Sequence, residues 1–219
     1  MKMTKILDYV YLLRCPFCGE LSSGGAVCKD CLSELLAAAK ECPKCKKAKK
    51  LCHCREIDGS GSLSAPFVYH GVVQTGILGF KKTGDVKQAE IFAGYIAAAI
   101  GSVEADVVTA VPTSPKSFKK RGFNPAKLIA VKLAKELGLP FEETLFSKDG
   151  KSQKEVEGSE TRIMNVRDKF FTLPNVNIAR RRILLLDDVR TTGATLLQCK
   201  EQLLLADAAE VLVIAFAAD

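Results

Sequence analysis

The chain has 219 residues, of which 47% are hydrophobic and 26% are charged, a composition typical of a globular protein rather than a disordered or fibrous one. Its length allows one core domain and a small additional module. No stretch approaches the roughly 18 uncharged apolar residues of a membrane helix, so we expect no membrane insertion. The N-terminus also lacks the pattern of a signal peptide, which favours a cytoplasmic protein.

Eight of the nine cysteines lie within the first 54 residues, in the pairs C-P-F-C, C-K-D-C, C-P-K-C and C-H-C. Because the cytosol is reducing, paired cysteines in a chain without an export signal indicate metal ligation rather than disulfides. Two such pairs can complete the closed tetrahedral site that structural zinc prefers. The pattern therefore predicts a double zinc-ribbon module over residues 1–56.

The simplest assignment of the eight ligands is sequential, with one zinc ion in each half of the module. The first site would consist of Cys15, Cys18, Cys28 and Cys31. The second site would consist of Cys42, Cys45, Cys52 and Cys54. A cross-braced pairing remains open, as does a second site in which His53 replaces Cys54.

The formal net charge of +7 would fall to about +3 with eight thiolates and two zinc ions bound. Bulk charge therefore does not predict binding to nucleic acid. Such binding would need a local patch, for example the five lysines within residues 44–50, which can equally form a solvated loop.

From residue 57 onward, helical and strand patterns alternate. Before that, the sequence predicts a short helix over residues 32–40 of the module and a Gly/Ser-rich linker or loop over residues 57–65. The spacing of apolar residues then predicts strands at 66–70, 107–111, 183–186 and 211–216, and helices at 86–100, 124–138 and 195–205. The continuously apolar strand at 183–186 is typical of a parallel sheet covered on both faces. We therefore expect a doubly wound α/β domain over residues 57–219.

The most informative segment follows the apolar strand, which ends at Asp187 and Asp188 and leads through a Thr/Gly turn into a helix. Ligands of open α/β sheets bind at the carboxyl ends of the strands. The turn offers backbone N–H groups, hydroxyls and a helix N-terminus, which suit a phosphate monoester. The two carboxylates would repel phosphate but can accept hydrogen bonds from sugar hydroxyls. The segment thus predicts a binding site for ribose 5-phosphate.

Residues 182–195 resemble the phosphoribosyl pyrophosphate (PRPP) motif of type I phosphoribosyltransferases. The resemblance implies that Asp187 and Asp188 are active-site residues facing the ribose hydroxyls. It also implies that the 5-phosphate is cradled by a loop of Thr191, Thr192, Gly193, Ala194 and Thr195.

Residues 110–124 resemble the V-P…R-G-F-N stretch of ComF-type proteins, and with the cysteine-rich N-terminus the resemblance to the ComF family extends along essentially the whole chain. It implies that pyrophosphate is contacted by Val111, Pro112, Thr113 and Ser114. Positive charge nearby would come from Lys116, Lys119, Lys120 and Arg121. A solvated basic loop is the alternative.

Two further stretches match the family. Residues 148–167 lie where family members carry a flexible loop, and the matching positions are Gln153, Ser159, Arg162 and Asn165, although Gly158 stands where we expect a hydrophobic residue. Residues 80–85 match an F-K-x-x-G-D stretch, which makes Lys81 a candidate site residue.

Two functions from different classes follow. The first is a Mg²⁺-dependent phosphoribosyltransferase with an unidentified acceptor. The second is a module that binds PRPP or a nucleotide and single-stranded DNA without turnover, since the resemblance implies DNA uptake in natural transformation with a competence helicase as partner. Single-stranded DNA binding normally uses stacking aromatics, and the chain has no Trp and only 4 Tyr.

Overall fold

A computed structural model gives the structure of the chain and describes residues 14–22, 26–40, 63–148 and 169–219. The helices are α1 (Lys29–Ala38), α2 (Gly71–Thr83), α3 (Val86–Ile100), α4 (Pro115–Arg121), α5 (Pro125–Leu137) and α6 (Ala194–Leu205). The strands are β1 (Leu63–Ser64), β2 (Phe67–Val68), β3 (Val107–Ala110), β4 (Leu145–Ser147), β5 (Phe170–Thr172), β6 (Arg182–Arg190) and β7 (Glu210–Ala218).

Five of these strands form one parallel sheet, in the order β1, β7, β6, β3, with β2 pairing further along β7. Strand β6 is central, because Leu184 lies opposite both Val108 of β3 and Leu212 of β7. Its apolar run is buried on both sides, as the sequence predicts for such a strand. Strands β4 and β5 form a separate antiparallel pair.

Helices cover both faces of the sheet. Leu184 and Leu186 of β6 face a core that also contains residues of α2, α3 and α5. Ile183 and Leu185 point to the opposite face, where they pack with Leu196, Cys199 and Leu203 of α6. The predicted fold, a parallel sheet with helices on both faces, is confirmed.

The predicted elements of this domain are found close to their expected bounds, but helices α2 and α4 and strands β1, β4 and β5 were not predicted. Leu63 and Ser64, which the composition places in a linker, form strand β1 against Val213 and Ile214 of β7. The pairing uses backbone N–H and C=O groups, which a Gly/Ser-rich segment offers as well as any other. No described helix has the length and apolar character required to cross a membrane.

The described part of the cysteine-rich module packs on α2 and α3. The ring of Phe17 lies 5.5 Å from that of Phe92, between centroids, and 6.4 Å from that of Tyr95. The side chain amide of Gln88 donates to the carbonyl of Pro16 and, over 2.9 Å, to the carbonyl of Gly76. Module and sheet domain therefore share one hydrophobic core. The predicted boundary at residue 56 lies outside the described residues.

Candidate functional site

The first predicted metal site is assembled. The Sγ atoms of Cys15, Cys18, Cys28 and Cys31 all lie within 4.8 Å of one another, and those of Cys18 and Cys28 are 3.7 Å apart. Zn–S bonds of about 2.3 Å place the sulfurs of a tetrahedral site about 3.8 Å apart. The donor set and its spacing fit a zinc ion, and these four cysteines are grouped as in the sequential assignment. The second set, from Cys42 to Cys54, lies outside the described residues.

The backbone around this cluster supports negative charge on sulfur. Burial acts to raise the pKa of Cys15, but backbone N–H groups of Cys18, Cys28 and Phe17 outweigh it and lower that pKa to about 7. Burial and the neighbouring sulfurs raise the pKa of Cys31. Four adjacent thiols thus cannot all ionise without a cation among them, which is what a bound metal would supply.

The second candidate site lies at the carboxyl ends of β3 and β6. The N–H of Val111, just beyond β3, donates to the carbonyl of Leu186 over 2.9 Å. This bond places the predicted pyrophosphate loop, which starts at Val111, beside Asp187 and Asp188. Two segments that are far apart in the sequence are therefore brought together at one edge of the sheet.

The two carboxylates sit in different surroundings. Asp187 Oδ1 accepts a hydrogen bond from the N–H of Asp188 over 2.8 Å, whereas Asp188 Oδ1 lies 3.0 Å from Nζ of Lys81. Burial and the neighbouring charge of Asp188 raise the pKa of Asp187 to about 7, against the opposing effects of that backbone bond and of Lys81. Asp187 can therefore exchange a proton near neutral pH.

The predicted phosphate loop forms a turn that opens α6. Gly193 is its N-cap with φ of 78°, a left-handed conformation that glycine adopts without strain. The residue has no side chain to cap the first helical turn, and the hydroxyl of Thr192 accepts from the N–H of Ala194 over 3.3 Å. Thr191, Thr192 and Thr195 are exposed, so their hydroxyls remain accessible to a ligand.

The R-G-F-N segment has a local structural role. Gly122 ends α4 with φ of 81°, and Asn124 caps α5 by accepting from the N–H of Lys127. The side chain amide of Asn124 also donates to the carbonyl of Val111 over 2.9 Å. Asn124 thus fixes the start of the predicted pyrophosphate loop, and Ser114 ends that loop by capping α4. No cis peptide bond occurs among the described residues.

The F-K-x-x-G-D segment ends α2 and starts α3. Phe80 is fully buried, Gly84 is a left-handed C-cap with φ of 63°, and Asp85 caps α3 by accepting from the N–H of Lys87 over 2.7 Å. Between them, Lys81 reaches Asp188. The contact had a signal in the sequence: Lys81 follows Ile77 by four residues and so shares the apolar face of its helix.

Several candidate residues are not part of this geometry. The four predicted loop positions from Gln153 to Asn165 lie outside the described residues. Lys148, at the start of that loop, lies over the rings of Phe146 and Phe171, at 5.7 and 4.6 Å from their centroids. Cys199, the ninth cysteine, is fully buried in α6.

The chain is similar to curated relatives along most of its length. It is 27% identical over 192 residues to Competence protein ComFC of Streptococcus pneumoniae, covering 84% of each chain. It is 27% identical over 198 residues to Competence protein ComFC of Bacillus subtilis, covering 89% of this chain and 71% of that protein. No family model matches the chain.

Solved structures are similar over a smaller part. One is the allosteric regulatory enzyme of purine biosynthesis, 27% identical with a TM-score of 0.42; the match covers 58% of this chain and 25% of that one. Another is adenine phosphoribosyltransferase from Thermoanaerobacter pseudethanolicus, 15% identical with a TM-score of 0.40, covering 63% of this chain and 84% of that one. The chain spans only about a quarter of the first of these proteins.

Proposed function

We propose that this chain is a cytoplasmic, phosphoribosyltransferase-fold protein of the ComF family that binds PRPP as its Mg²⁺ complex and transfers the phosphoribosyl group to an acceptor. One observation carries the proposal: the hydrogen bond from Val111 N–H to the Leu186 carbonyl brings the loop after β3 beside the acidic pair and the helix-opening turn after β6.

Each part of this edge suits one part of the ligand. The first turn of α6 and the exposed threonine hydroxyls would hold the 5-phosphate, because N–H groups at a helix N-terminus attract anions. Asp187 and Asp188 would accept hydrogen bonds from the ribose hydroxyls. Val111 to Ser114 would face the pyrophosphate, which leaves C1 of the ribose through an oxocarbenium-like state.

The chemical work in this proposal is electrostatic. The Mg²⁺ bound with PRPP would supply positive charge that stabilises the departing pyrophosphate, which Val111 to Ser114 would face. The protein holds C1 and the leaving group in place with groups that are already oriented. Apart from Asp187, which this proposal places at the ribose hydroxyls, the described part of this edge offers no general base for an acceptor, so the acceptor must be found by experiment.

The cysteine module completes the proposal with structural zinc. The four described thiolates would hold one ion, and Cys42, Cys45, Cys52 and Cys54 would hold a second. A module of this size has too little core to fold well alone, so metal binding would supply folding free energy.

Calorimetric titration of PRPP with Mg²⁺ into the zinc-loaded protein tests the proposal. We expect micromolar binding that is lost in the Asp187→Asn/Asp188→Asn double variant while its circular dichroism stays native. Screening of acceptors for pyrophosphate release then tests transfer. Absence of binding to the wild-type protein, or equal binding to the double variant, would refute the sugar-phosphate site.

A second candidate function is the binding of single-stranded DNA without turnover, and one surface favours it. Helix α4 carries Phe118, which is 50% exposed, beside three exposed lysines and a half-buried arginine: Lys116, Lys119, Lys120 and Arg121. An exposed ring flanked by cations suits stacked bases and a phosphate backbone. This reading would place the protein in DNA uptake during natural transformation, with a competence helicase as partner. Salt-dependent binding of an oligonucleotide that Phe118→Ala weakens would support it; binding unaffected by Phe118→Ala would contradict it.

A further inference from the structure

Lys81 makes an ion pair that the proposed chemistry has not yet used. Its Nζ lies 3.0 Å from Asp188 Oδ1, and the two side chains are only 25% and 11% exposed. The other described ion pairs each include a side chain that is more than a third exposed. The Lys81–Asp188 pair is thus the most sheltered ion pair in the part of the chain that the structure describes.

The position of Lys81 is fixed by its neighbours in the sequence. Phe80 is buried against Phe92, with ring centroids 5.4 Å apart, and the N–H of Gly84 ends the helix on the carbonyl of Phe80 over 2.9 Å. A side chain on Gly84 would collide with the ring of Phe123, which lies 2.9 Å from the position of its Cβ. Helix α2 therefore ends in a fixed place, and its last turn directs Lys81 to Asp188 while Lys82 is exposed.

Lys81 reduces the electrostatic repulsion within the acidic pair, Asp187 and Asp188. Two adjacent, sheltered carboxylates repel each other and also repel any ligand that carries several phosphate charges. A lysine at hydrogen-bond distance cancels one of the two charges without blocking both oxygens of Asp188. Leaving a sheltered carboxylate without its partner is costly, so the loss of Lys81 would alter the pair itself.

We propose that Lys81 is the counter-ion of the acidic pair, a positioning residue that holds the Asp188 carboxylate and allows a polyanionic sugar phosphate to approach it. This inference rests on the proposed PRPP site. Lys81 acts through Asp188 at the ribose end of the ligand, and not as a direct ligand of the pyrophosphate.

The pair's titration gives a readout that a purely structural role would not change. Among the described residues, the charged or titratable groups that act on Asp187 are Asp188, Lys81 on α2 and the Cys199 thiol on α6. Lys81 opposes the rise of the Asp187 pKa, so removing its charge will raise that pKa further. In the proposed site the ribose hydroxyls donate to the Asp187 carboxylate, so ligand affinity should increase as Asp187 loses its proton. A higher Asp187 pKa should therefore move this increase in affinity to a higher pH.

The experiment compares Lys81→Met and Lys81→Arg with Lys82→Met, a control that removes the same charge from the adjacent, exposed position. Each zinc-loaded protein is titrated with Mg²⁺–PRPP and separately with ribose 5-phosphate, over a pH series. We expect Lys81→Met to weaken both ligands about tenfold or more, and Lys81→Arg and Lys82→Met to change affinity by no more than about threefold. Carboxyl ¹³C NMR without ligand should show a higher Asp187 pKa in Lys81→Met only.

The outcomes separate this inference from the function on which it rests. If wild-type protein binds neither ligand, the proposed site is refuted and the role of Lys81 falls with it. If wild-type protein binds but Lys81→Met binds equally well, or loses affinity for PRPP alone, the counter-ion role is wrong and the proposed site stands. Should Lys81→Met lose native circular dichroism, Lys81→Gln, which keeps a donor but no charge, provides the same test.

Discussion

Phe17 lies directly against Gly76, so closely that a Cβ on Gly76 would come within 2.6 Å of ring atom Cδ1 and 3.2 Å of the Phe17 backbone. Helix α2 can therefore approach the cysteine module only because residue 76 has no side chain. The same helix carries Lys81 to the acidic pair. The proposed zinc site and the proposed ligand site are thus both attached to α2, the first at the middle of the helix and the second at its last turn.

This contact predicts opposite effects for two glycines of α2. Gly76→Ala should destabilise the protein by about 1–3 kcal/mol, because the module's backbone must shift to admit the methyl group. Gly79→Ala is the matched control: nothing lies within 4 Å of its Cβ position, so higher helix propensity should stabilise the protein by about 0.5–1 kcal/mol. Urea unfolding of the zinc-loaded proteins measures both, and equal stability of the two variants would contradict the packing.

Zinc content provides the second prediction. Wild-type protein should contain two zinc ions per chain, and Cys31→Ser should lose one of them, because it removes one of four clustered ligands. Cys199→Ala, which removes a buried cysteine far from the cluster in the sequence, should keep both. Elemental analysis measures this, and a zinc content near zero in wild-type protein would refute the metal assignment.

Removal of zinc by a chelator should unfold the cysteine-rich module before the sheet domain unfolds. Phe17 and Leu35 belong to the shared core, so loss of the metal should expose them and the surface of α3 beneath. Hydrogen exchange should show protection falling first in α1 and last in β6. Simultaneous loss of protection in both would contradict this order.

The local structure around Asp187 and Asp188 could be predicted from the sequence better than the ion pair that Asp188 makes. Local order was sufficient for the acidic pair, since an apolar strand, two carboxylates and a Thr/Gly turn are consecutive residues. Lys81 reaches Asp188 only through the packing of α2 on the sheet, which sequence spacing does not describe. The position of Lys81 near Ile77 and Phe80 in the sequence indicates that it lies on the buried face of α2. It does not indicate that Asp188 is the residue that Lys81 contacts.

The docking of the module was likewise beyond local patterns. Phe17 lies inside a C-x-x-C pair, where no helical or strand period marks it as buried. Its contacts with Gly76 and Phe92 depend on how two helices leave room for it. Similarly, strand β1 forms through backbone pairing with β7, although its sequence is typical of a linker.

The raised pKa of Asp187 predicts a pH-dependent cost in stability. Its pKa is about 7 in the native state, and about 3.9 is normal for an unfolded chain. Between these values the native state binds more protons than the unfolded chain, so the Asp187 contribution to stability falls as pH rises, and the full cost applies above pH 7. Asp187→Asn should therefore be more stable than wild type at pH 8, by about 1–3 kcal/mol, and equal to it near pH 4.

Asp106 provides a control of opposite sign. Hydrogen bonds from Arg182 lower its pKa, so its contribution to stability is lost as pH falls. Asp106→Asn should destabilise the protein at neutral pH and less so in acid. Thermal unfolding across a pH series measures the stability of both variants. If Asp187→Asn is less stable than wild type at pH 8, the charged Asp187 carboxylate does not destabilise the native state.

Asn124 allows the loop's position to be tested apart from its charge. Its Oδ1 caps α5 while its Nδ2 donates to the Val111 carbonyl, so the two halves of one amide serve a helix and the candidate site.

Asn124→Asp keeps an acceptor for the cap but loses the donor to Val111, whereas Asn124→Ala loses both. We expect Asn124→Asp to remain within about 1 kcal/mol of wild type in stability yet to bind Mg²⁺–PRPP less tightly, because the loop start is released. Asn124→Ala should lose a further 0.5–2 kcal/mol or so from the missing cap. Calorimetric unfolding and ligand titration on the same samples separate the two effects, and unchanged affinity in both variants would show that the Val111 loop does not contact the ligand.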